Sequence, residues 1–131
     1  MSQATGLFDV KLTPQEEMIH PALACMTLDK QFHGDLEGAS RGLMLSTSTA
    51  VNGSAGYVAL EIVSGTLAGC NGCFALQHSG TMNRGSPSLS ILVVPDSGTG
   101  QLTGLMGKMT IQIASDGKHT YEFDYTLPET K

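Results

Sequence analysis

The sequence predicts an all-β domain, specifically a closed eight-stranded antiparallel barrel. Apolar and polar residues alternate with a period of two along most of the chain, which is the pattern of strands with one buried face. Turn-forming pairs such as Asn52-Gly53 and Asp116-Gly117 separate the alternating segments, as they do in hairpins. No segment has the length of a helix that would join parallel strands. The 131 residues are the size of one domain, so residues 1–131 are assigned to a single barrel.

The alternation places the eight strands at residues 4–12, 23–33, 36–50, 56–68, 73–82, 88–94, 108–114 and 118–127. Residues 13–21 contain Pro14 and Pro21 and are predicted to form a loop with room for one helical turn. Residues 69–72 and 85–87 are predicted turns, and residues 95–107 a glycine-rich connection. Closing these strands into a barrel removes the edge strands and leaves an interior for side chains or one small ligand. A two-sheet sandwich is the alternative.

The charge of the chain excludes two classes of partner. The formal net charge is −5, and the 7 Lys and Arg residues do not cluster. Nucleic-acid binding needs a basic surface stripe, and so does binding to an anionic membrane surface. No apolar run approaches the roughly 20 residues of a membrane helix. We therefore expect neither a nucleic-acid nor a membrane partner.

The cysteines and the first residues predict a cytoplasmic protein. There are 3 Cys, an odd number, which argues against a disulfide framework and favours reduced thiols. Residues 1–6 lack the basic region and following apolar run of a signal peptide.

Two short motifs are predicted to be turns. Cys70 and Cys73 have the spacing of metal ligands, but a zinc site needs four ligands and only Cys25 and distant histidines remain. The stretch Gly98-Thr99-Gly100 lacks the Lys-Ser/Thr of a phosphate-binding loop. The sequence therefore predicts no metal and no cofactor.

Three ionisable residues fall on strand faces that the alternation turns inward. Lys30, Glu61 and His78 each share their face with apolar neighbours. A charge inside a barrel is costly unless it is paired, so we expect Lys30 and Glu61 to meet each other or water. As a catalytic site, Glu61 or His78 would transfer a proton while Lys30 stabilised developing negative charge. As a structural site, the same residues would simply pair inside the core.

Four segments, residues 30–38, 56–61, 74–82 and 95–107, resemble in order the signatures of a bacterial family catalogued as domain of unknown function 3224. Members of that family have a barrel like that of plant allene oxide cyclases. The stretch from Gly98 to Gly107 resembles the glycine-rich segment that these cyclases share with dirigent proteins. The resemblance implies an allene-oxide-cyclase-like barrel and an oligomer. It implies no established activity, and cyclase chemistry would be an analogy of fold alone.

Three functions are compatible with these observations. The leading hypothesis is binding of a small apolar molecule in the barrel mouth, with ligand contacts from Tyr57, Ser40, Phe32, Phe74, Tyr121 and Tyr125. The second is a cyclase or isomerase that needs no cofactor and works by shaping and shielding its substrate. The third is an oligomeric interaction protein. Apolar side chains on faces predicted to point outward favour a homo-oligomer; they are Leu43, Leu45, Val58, Leu60 and Ile62.

Overall fold

A computed structural model describes residues 2–15 and 20–128 and shows a closed barrel of eight antiparallel strands. In chain order they are β1 (Ser2–Pro14), β2 (Ala24–Gly34), β3 (Leu36–Ser48), β4 (Ala55–Leu67), β5 (Cys70–Asn83), β6 (Ser86–Val93), β7 (Met106–Ile113) and β8 (His119–Thr126). A 3-10 helix, Gly100–Leu102, lies between β6 and β7. Each strand pairs with the next, and β8 pairs back with β1. The predicted barrel is confirmed.

The period-two alternation correctly identifies the inward face. On β4, Glu61 and Val63 are 0% exposed. Their chain neighbours Leu60 and Ile62 are 55% and 57% exposed. Successive side chains of a strand point to opposite faces, so this contrast follows from the pleat. The inner wall of the barrel can therefore be read directly from the sequence.

The predicted turn at residues 69–72 is wrong. The β4–β5 hairpin turns at Ala68 and Gly69, and Leu67 already pairs with Cys70. Both turn residues have positive φ, 47° and 87°, the backbone conformation of a tight two-residue hairpin. Because only two residues are needed, the strand pairing continues through Gly72, which the sequence pattern had assigned to the turn.

The boundaries of β1 and β6 also differ from the prediction. β1 extends to Pro14, so residues 13 and 14 belong to the strand and not to the loop. The helical turn expected nearby concerns residues 16–19, which lie outside the described residues. β6 begins at Ser86 and includes Pro87. It pairs with β7 only at Ile91 and Leu92, so Pro87 lies on a local edge, where proline is tolerated.

One end of the barrel, here called the closed end, carries the β2–β3 and β4–β5 turns and the connection 94–105. Four leucines fill it, each at most 1% exposed: Leu36, Leu67, Leu102 and Leu105. The connection is fixed to β5 because the Thr99 N–H donates to the Cys73 carbonyl at 2.8 Å and the Cys73 N–H donates to the Thr99 Oγ1 at 3.0 Å. The glycine-rich connection therefore plugs the barrel.

Above this plug lies an aromatic core. The Phe123 ring stacks at 5.9 Å on Phe74 and at 5.4 Å on Tyr125. The Tyr121 hydroxyl accepts the Leu36 N–H at 2.9 Å and donates to the His33 carbonyl at 3.0 Å. These hydrogen bonds offset the cost of removing the hydroxyl from water. The core of the protein sits in this half.

The opposite end, here called the open end, carries the connections 49–54, 84–85 and 114–118. Its inward-facing side chains remain partly exposed: Leu12 is 44%, Met82 40%, Leu89 43% and Ile113 66% exposed. The barrel is therefore packed at one end and accessible at the other. Separately, none of the described segments is a helix long and apolar enough to cross a membrane.

Candidate functional site

A buried polar cluster lies halfway along the barrel, on its inner wall. Four consecutive strands supply it: Lys30 on β2, Ser40 on β3, Glu61 on β4 and His78 on β5. Their exposure is 6%, 1%, 0% and 4%. Lys30 and Ser40 are direct cross-strand partners, so their side chains leave the wall at the same height. The cluster is a product of strand register across four strands.

Glu61 is the centre of the cluster. Its Oε2 accepts from Lys30 Nζ at 2.8 Å and lies 2.6 Å from His78 Nε2, while its Oε1 accepts the Ser40 hydroxyl at 2.7 Å. The structure thus brings Lys30 and His78 each into direct contact with Glu61; the catalytic roles of the three residues stay a prediction. Ser40, predicted as a ligand contact, directs its hydroxyl to Glu61.

The space for the Glu61 side chain depends on a glycine. Gly42 on β3 is the cross-strand partner of Glu61. A Cβ added to Gly42 would lie 2.9 Å from the Glu61 Cβ and would clash with the neighbouring backbone. A glycine at this position therefore lets β3 and β4 approach closely where the carboxylate turns inward.

Glu61 is ionised at neutral pH. Burial raises the pKa of this carboxyl, but the hydrogen bond from His78 and the charge and hydrogen bond of Lys30 outweigh burial, so the pKa falls from 4.5 to about 2. An ionised carboxylate only accepts hydrogen bonds, so His78 Nε2 carries the proton that it shares with Glu61. The Lys30 ammonium also lies 5.1 Å from the centre of the Phe8 ring, a favourable cation–π distance.

The other ring nitrogen of His78 is open. Within residues 2–15 and 20–128, no hydrogen bond reaches Nδ1, and no buried side-chain nitrogen or oxygen lacks a partner. Nδ1 must therefore touch accessible space. The His78 side chain points inward, as the burial of its strand alternates. Because Nε2 is held against Glu61, Nδ1 is the ring nitrogen that remains for another partner.

Tyr57 stands beside His78 on the side of the open end. The two ring centres are 6.3 Å apart. The Tyr57 ring lies across Gly80, where an added Cβ would come within 2.9 Å of its Cδ1. Burial, and secondarily the Glu61 charge, raise the pKa of the Tyr57 hydroxyl, which therefore keeps its proton. Among the described residues, no hydrogen bond to this hydroxyl is present; since no buried side-chain oxygen lacks a partner, the hydroxyl reaches accessible space.

A cavity of about 470 Å³, here called the mouth cavity, occupies the open end. Its wall is almost entirely apolar, and the side chains that shape it include Met44, Tyr57, Met82, Leu89 and Ile113. They belong to the inward faces of β3, β4, β5, β6 and β7. The cavity lies beside the short β6–β7 pairing, where the barrel wall is least continuous.

Tyr57 is the one predicted ligand contact that lines the mouth cavity. Phe32, Phe74 and Tyr121 are at most 1% exposed and Tyr125 is 8% exposed, all in the core. Met44, Met82, Leu89 and Ile113 were not predicted as ligand contacts. The alternation places each of them on an inward face, near the open end. The sequence did not show which end of the barrel would stay open, so it could not identify them as cavity-lining residues.

The outer wall carries a second concave region, a groove of about 680 Å³. Its five aliphatic side chains, here called the outer apolar face, are 46–57% exposed: Leu43, Leu45, Val58, Leu60 and Ile62. They point outward as the alternation predicts. Arg41 is the charged residue of this groove.

The Cys70 and Cys73 thiols belong to opposite faces of β5. Cys70 packs against the core, and Cys73 Sγ lies 3.2 Å from Ser64 Oγ. An odd spacing along a strand separates two side chains in this way, so the pair cannot hold one ion. Within the described ranges, no group of three or more His, Cys, Asp and Glu residues is arranged to hold a metal.

Comparison with known proteins identifies a family and a similar solved structure. Residues 4–125 match the family described as "Protein of unknown function (DUF3224)". The chain is also similar to the crystal structure of a protein with unknown function from the DUF3224 family of Shewanella oneidensis MR-1. The two share 50% identity over 99% of each chain, with a TM-score of 0.92. No curated protein is similar enough to match.

Proposed function

The chain belongs to the DUF3224 family, and we propose that it binds a small apolar molecule in the mouth cavity. The observation that carries this proposal is an apolar cavity of about 470 Å³ at the open end of a barrel whose other end is packed. Ligand sites are typically apolar cavities of roughly 300–1,000 Å³ with a few polar groups. The mouth cavity has this size, and Tyr57 supplies a polar group.

The hydrophobic effect supplies the driving force. Met82, Leu89 and Ile113 keep 40%, 43% and 66% of their surface exposed while facing inward. A ligand that covered them would gain about 25 cal/mol for each Å² of apolar surface removed from water. The methionines Met44 and Met82 are flexible and adapt to ligands of different shape.

Titration with the uncharged fluorescent probe N-phenyl-1-naphthylamine tests the proposal. We expect saturable fluorescence enhancement for the wild type and its loss in Leu89→Trp, because the indole fills the cavity. Leu92→Trp is the matched control: Leu92 lies on the same strand, is 51% exposed and does not line the mouth cavity. Equal binding by the two variants, or none by the wild type, would contradict the proposal.

A second candidate is a proton-transfer enzyme of the cyclase or isomerase type without a cofactor. It is favoured by the 2.6 Å contact between Glu61 and His78 Nε2, which orients the ring with Nδ1 free to act as a base. In one such step, Nδ1 takes a proton from the carbon beside a carbonyl. The C–H electron pair then forms an enolate whose oxygen accepts from Tyr57, and the proton returns to carbon. The likeness to allene oxide cyclases remains, in this proposal, an analogy of fold.

Deuterium exchange distinguishes this enzyme from a pure binding protein. Incubation of 2-acetonaphthone with the protein in deuterated buffer should incorporate deuterium beside the carbonyl faster than buffer alone, measured by mass spectrometry. His78→Gln keeps a donor for Glu61 but lacks a ring base, so it should remove the acceleration. Exchange at the buffer rate with bound ketone would exclude catalysis and leave binding intact.

We further propose a homo-oligomer assembled through the outer apolar face, in the cytoplasm. Five half-exposed aliphatic side chains form one continuous surface on β3 and β4, which is typical of subunit contacts. The cysteines Cys25, Cys70 and Cys73 are free thiols, which suits a reducing compartment. Light scattering should give a multiple of the chain mass for the wild type and a smaller particle for Leu60→Asp; identical masses would contradict the proposed interface.

A further inference from the structure

Tyr57 and Gly80 form a matched pair on the wall of the mouth cavity. They are direct cross-strand partners on β4 and β5, and both line the cavity. A Cβ added to Gly80 would overlap Cε1 of the Tyr57 ring and lie 2.9 Å from its Cδ1. The ring therefore occupies the space that a side chain at position 80 would need, and its orientation depends on that residue being glycine.

The Tyr57 hydroxyl is the polar group that this arrangement positions. Among the described residues no hydrogen bond to it is present, and it reaches accessible space. Burial, and secondarily the Glu61 charge, raise its pKa, so the hydroxyl remains a donor. The other hydroxyls of the cavity wall belong to Ser46, Thr81 and Ser88, whose short side chains can bond to nearby backbone instead.

We infer that the ligand of the mouth cavity is an uncharged, mostly apolar molecule with one acceptor oxygen, such as a ketone, and that Gly80 determines this specificity by positioning the Tyr57 donor. This inference rests on the proposed function. Among the described residues that line the cavity there is no Lys, Arg, Asp or Glu, so a charged ligand would lose its water without gaining an ionic partner. An acceptor oxygen at Tyr57 keeps a hydrogen bond when water leaves the cavity.

Ligands of matched shape test the acceptor. 2-Acetonaphthone, its hydrocarbon analogue 2-isopropenylnaphthalene and the anion 2-naphthoate are each used to displace N-phenyl-1-naphthylamine at pH 7. Tyr57→Phe should weaken the binding of 2-acetonaphthone about threefold to tenfold, the contribution of one hydrogen bond. The binding of 2-isopropenylnaphthalene should stay unchanged, because the phenyl ring of the variant keeps the same apolar surface.

Gly80→Ala tests the positioning role, because it keeps the Tyr57 hydroxyl but displaces the ring. The readout is the ratio of ketone to hydrocarbon affinity, since a displaced ring also changes the cavity volume. We expect this ratio to fall as far as it does in Tyr57→Phe. Gly56→Ala is the matched control: Gly56 also lines the cavity, but its added Cβ would lie 3.8 Å from the Gly80 carbonyl oxygen, an ordinary contact. Its ratio should equal that of the wild type.

The outcomes separate the inference from the proposed function. An unchanged ratio in Tyr57→Phe would overturn the inference and leave apolar binding standing, and an unchanged ratio in Gly80→Ala would overturn the role of Gly80. Strongest displacement by 2-naphthoate would overturn the inference in favour of an anionic ligand. Failure of N-phenyl-1-naphthylamine and all three competitors to bind the wild type would overturn both proposals.

Infrared spectroscopy decides the matter on the wild type, even where a variant does not fold. We expect the carbonyl stretching band of bound 2-acetonaphthone to lie at lower frequency than in cyclohexane, because a hydrogen bond weakens the carbonyl bond. A band at the cyclohexane position would overturn the inference.

Discussion

The closed and open halves of the barrel are built from the same eight strands. Buried side chains fill the closed end, whereas the inward-facing side chains of the open end stay partly exposed. At the closed end the 94–105 connection folds back and places Leu102 and Leu105 inside, each 0% exposed. At the open end the inward-facing Leu89 and Ile113 are 43% and 66% exposed. The same strands run through both halves, so the difference comes from the connections and from the short β6–β7 pairing, which is limited to Ile91 and Leu92 of β6.

The buried polar cluster lies at the boundary between these halves. Lys30, Glu61 and His78 are each at most 6% exposed, and they lie between the aromatic core on one side and the mouth cavity, which Tyr57 lines, on the other. A cluster placed deeper would be purely structural, and one nearer the rim would be solvated and weakly coupled. The packed half gives stability and the open half gives access.

The largest effect is expected at this boundary. Glu61→Leu leaves the Lys30 ammonium buried without its partner, and we expect a loss of about 3–5 kcal/mol in the free energy of unfolding, measured by urea denaturation. The control is Lys30→Met combined with Glu61→Leu, which removes both charges and should recover most of the loss. A double variant as unstable as the single one would show that the lysine charge is not the cause.

Cavity-forming substitutions compare the two halves directly. Phe123→Ala, at a residue 0% exposed between two aromatic rings, should cost about 3–5 kcal/mol. Leu89→Ala, at a residue 43% exposed, should cost less than about 1 kcal/mol. Both are measured by urea denaturation. Comparable losses would mean that the open half is packed as tightly as the closed one.

Acid titration tests whether Glu61 of the buried polar cluster is ionised in the folded protein. The pKa of Glu61 is lowered from 4.5 to about 2 by folding, so the stability that this carboxylate contributes is present above pH 4.5 and is lost as the pH falls toward 2. The linked change is about 3 kcal/mol. The comparison is with the double variant Lys30→Met, Glu61→Leu, which lacks the carboxylate. Between pH 5 and pH 2, we expect the unfolding free energy of the wild type to fall by about 3 kcal/mol more than that of the double variant. A pH-independent difference would refute the assignment.

The smallest effects are expected for one tyrosine hydroxyl in each half. Tyr121→Phe removes the hydrogen bonds to Leu36 and His33 and should cost about 1–3 kcal/mol. Tyr57→Phe removes a hydroxyl that has no partner among the described residues, so the change should stay within about 0.5 kcal/mol. Thermal unfolding monitored by circular dichroism measures both. A large loss in Tyr57→Phe would show that this hydroxyl is structural.

Much of the fold could be predicted because the strand signal is local. Alternation identified the faces of Glu61 and His78 correctly, since the pleat turns every second side chain inward. Turn positions were less predictable. Gly69 and Gly72 both look like turn residues, but a two-residue turn at Ala68 and Gly69 satisfies the backbone, and the choice between them depends on pairing with the partner strand.

The site was predictable in its members and not in its geometry. The sequence suggested that Lys30 and Glu61 meet, because two opposite charges on inward faces need each other. It could not show that the Ser40 hydroxyl donates to the second oxygen of Glu61, or that Gly42 leaves space for the Glu61 side chain. Nor could it show that Tyr57, and not Tyr121, lines the mouth cavity. These facts depend on contacts between residues far apart in the chain.

The sequence by itself determined that this protein is a barrel and which side chains face its interior, because a period of two and the turn residues between strands act over a few neighbours. Only the tertiary structure decided which end is plugged, how high on the wall the polar cluster lies and which hydroxyl is left unpaired. Those properties follow from the stagger of the strands around the barrel and from where the 94–105 connection packs, and both are set by contacts that span the whole chain.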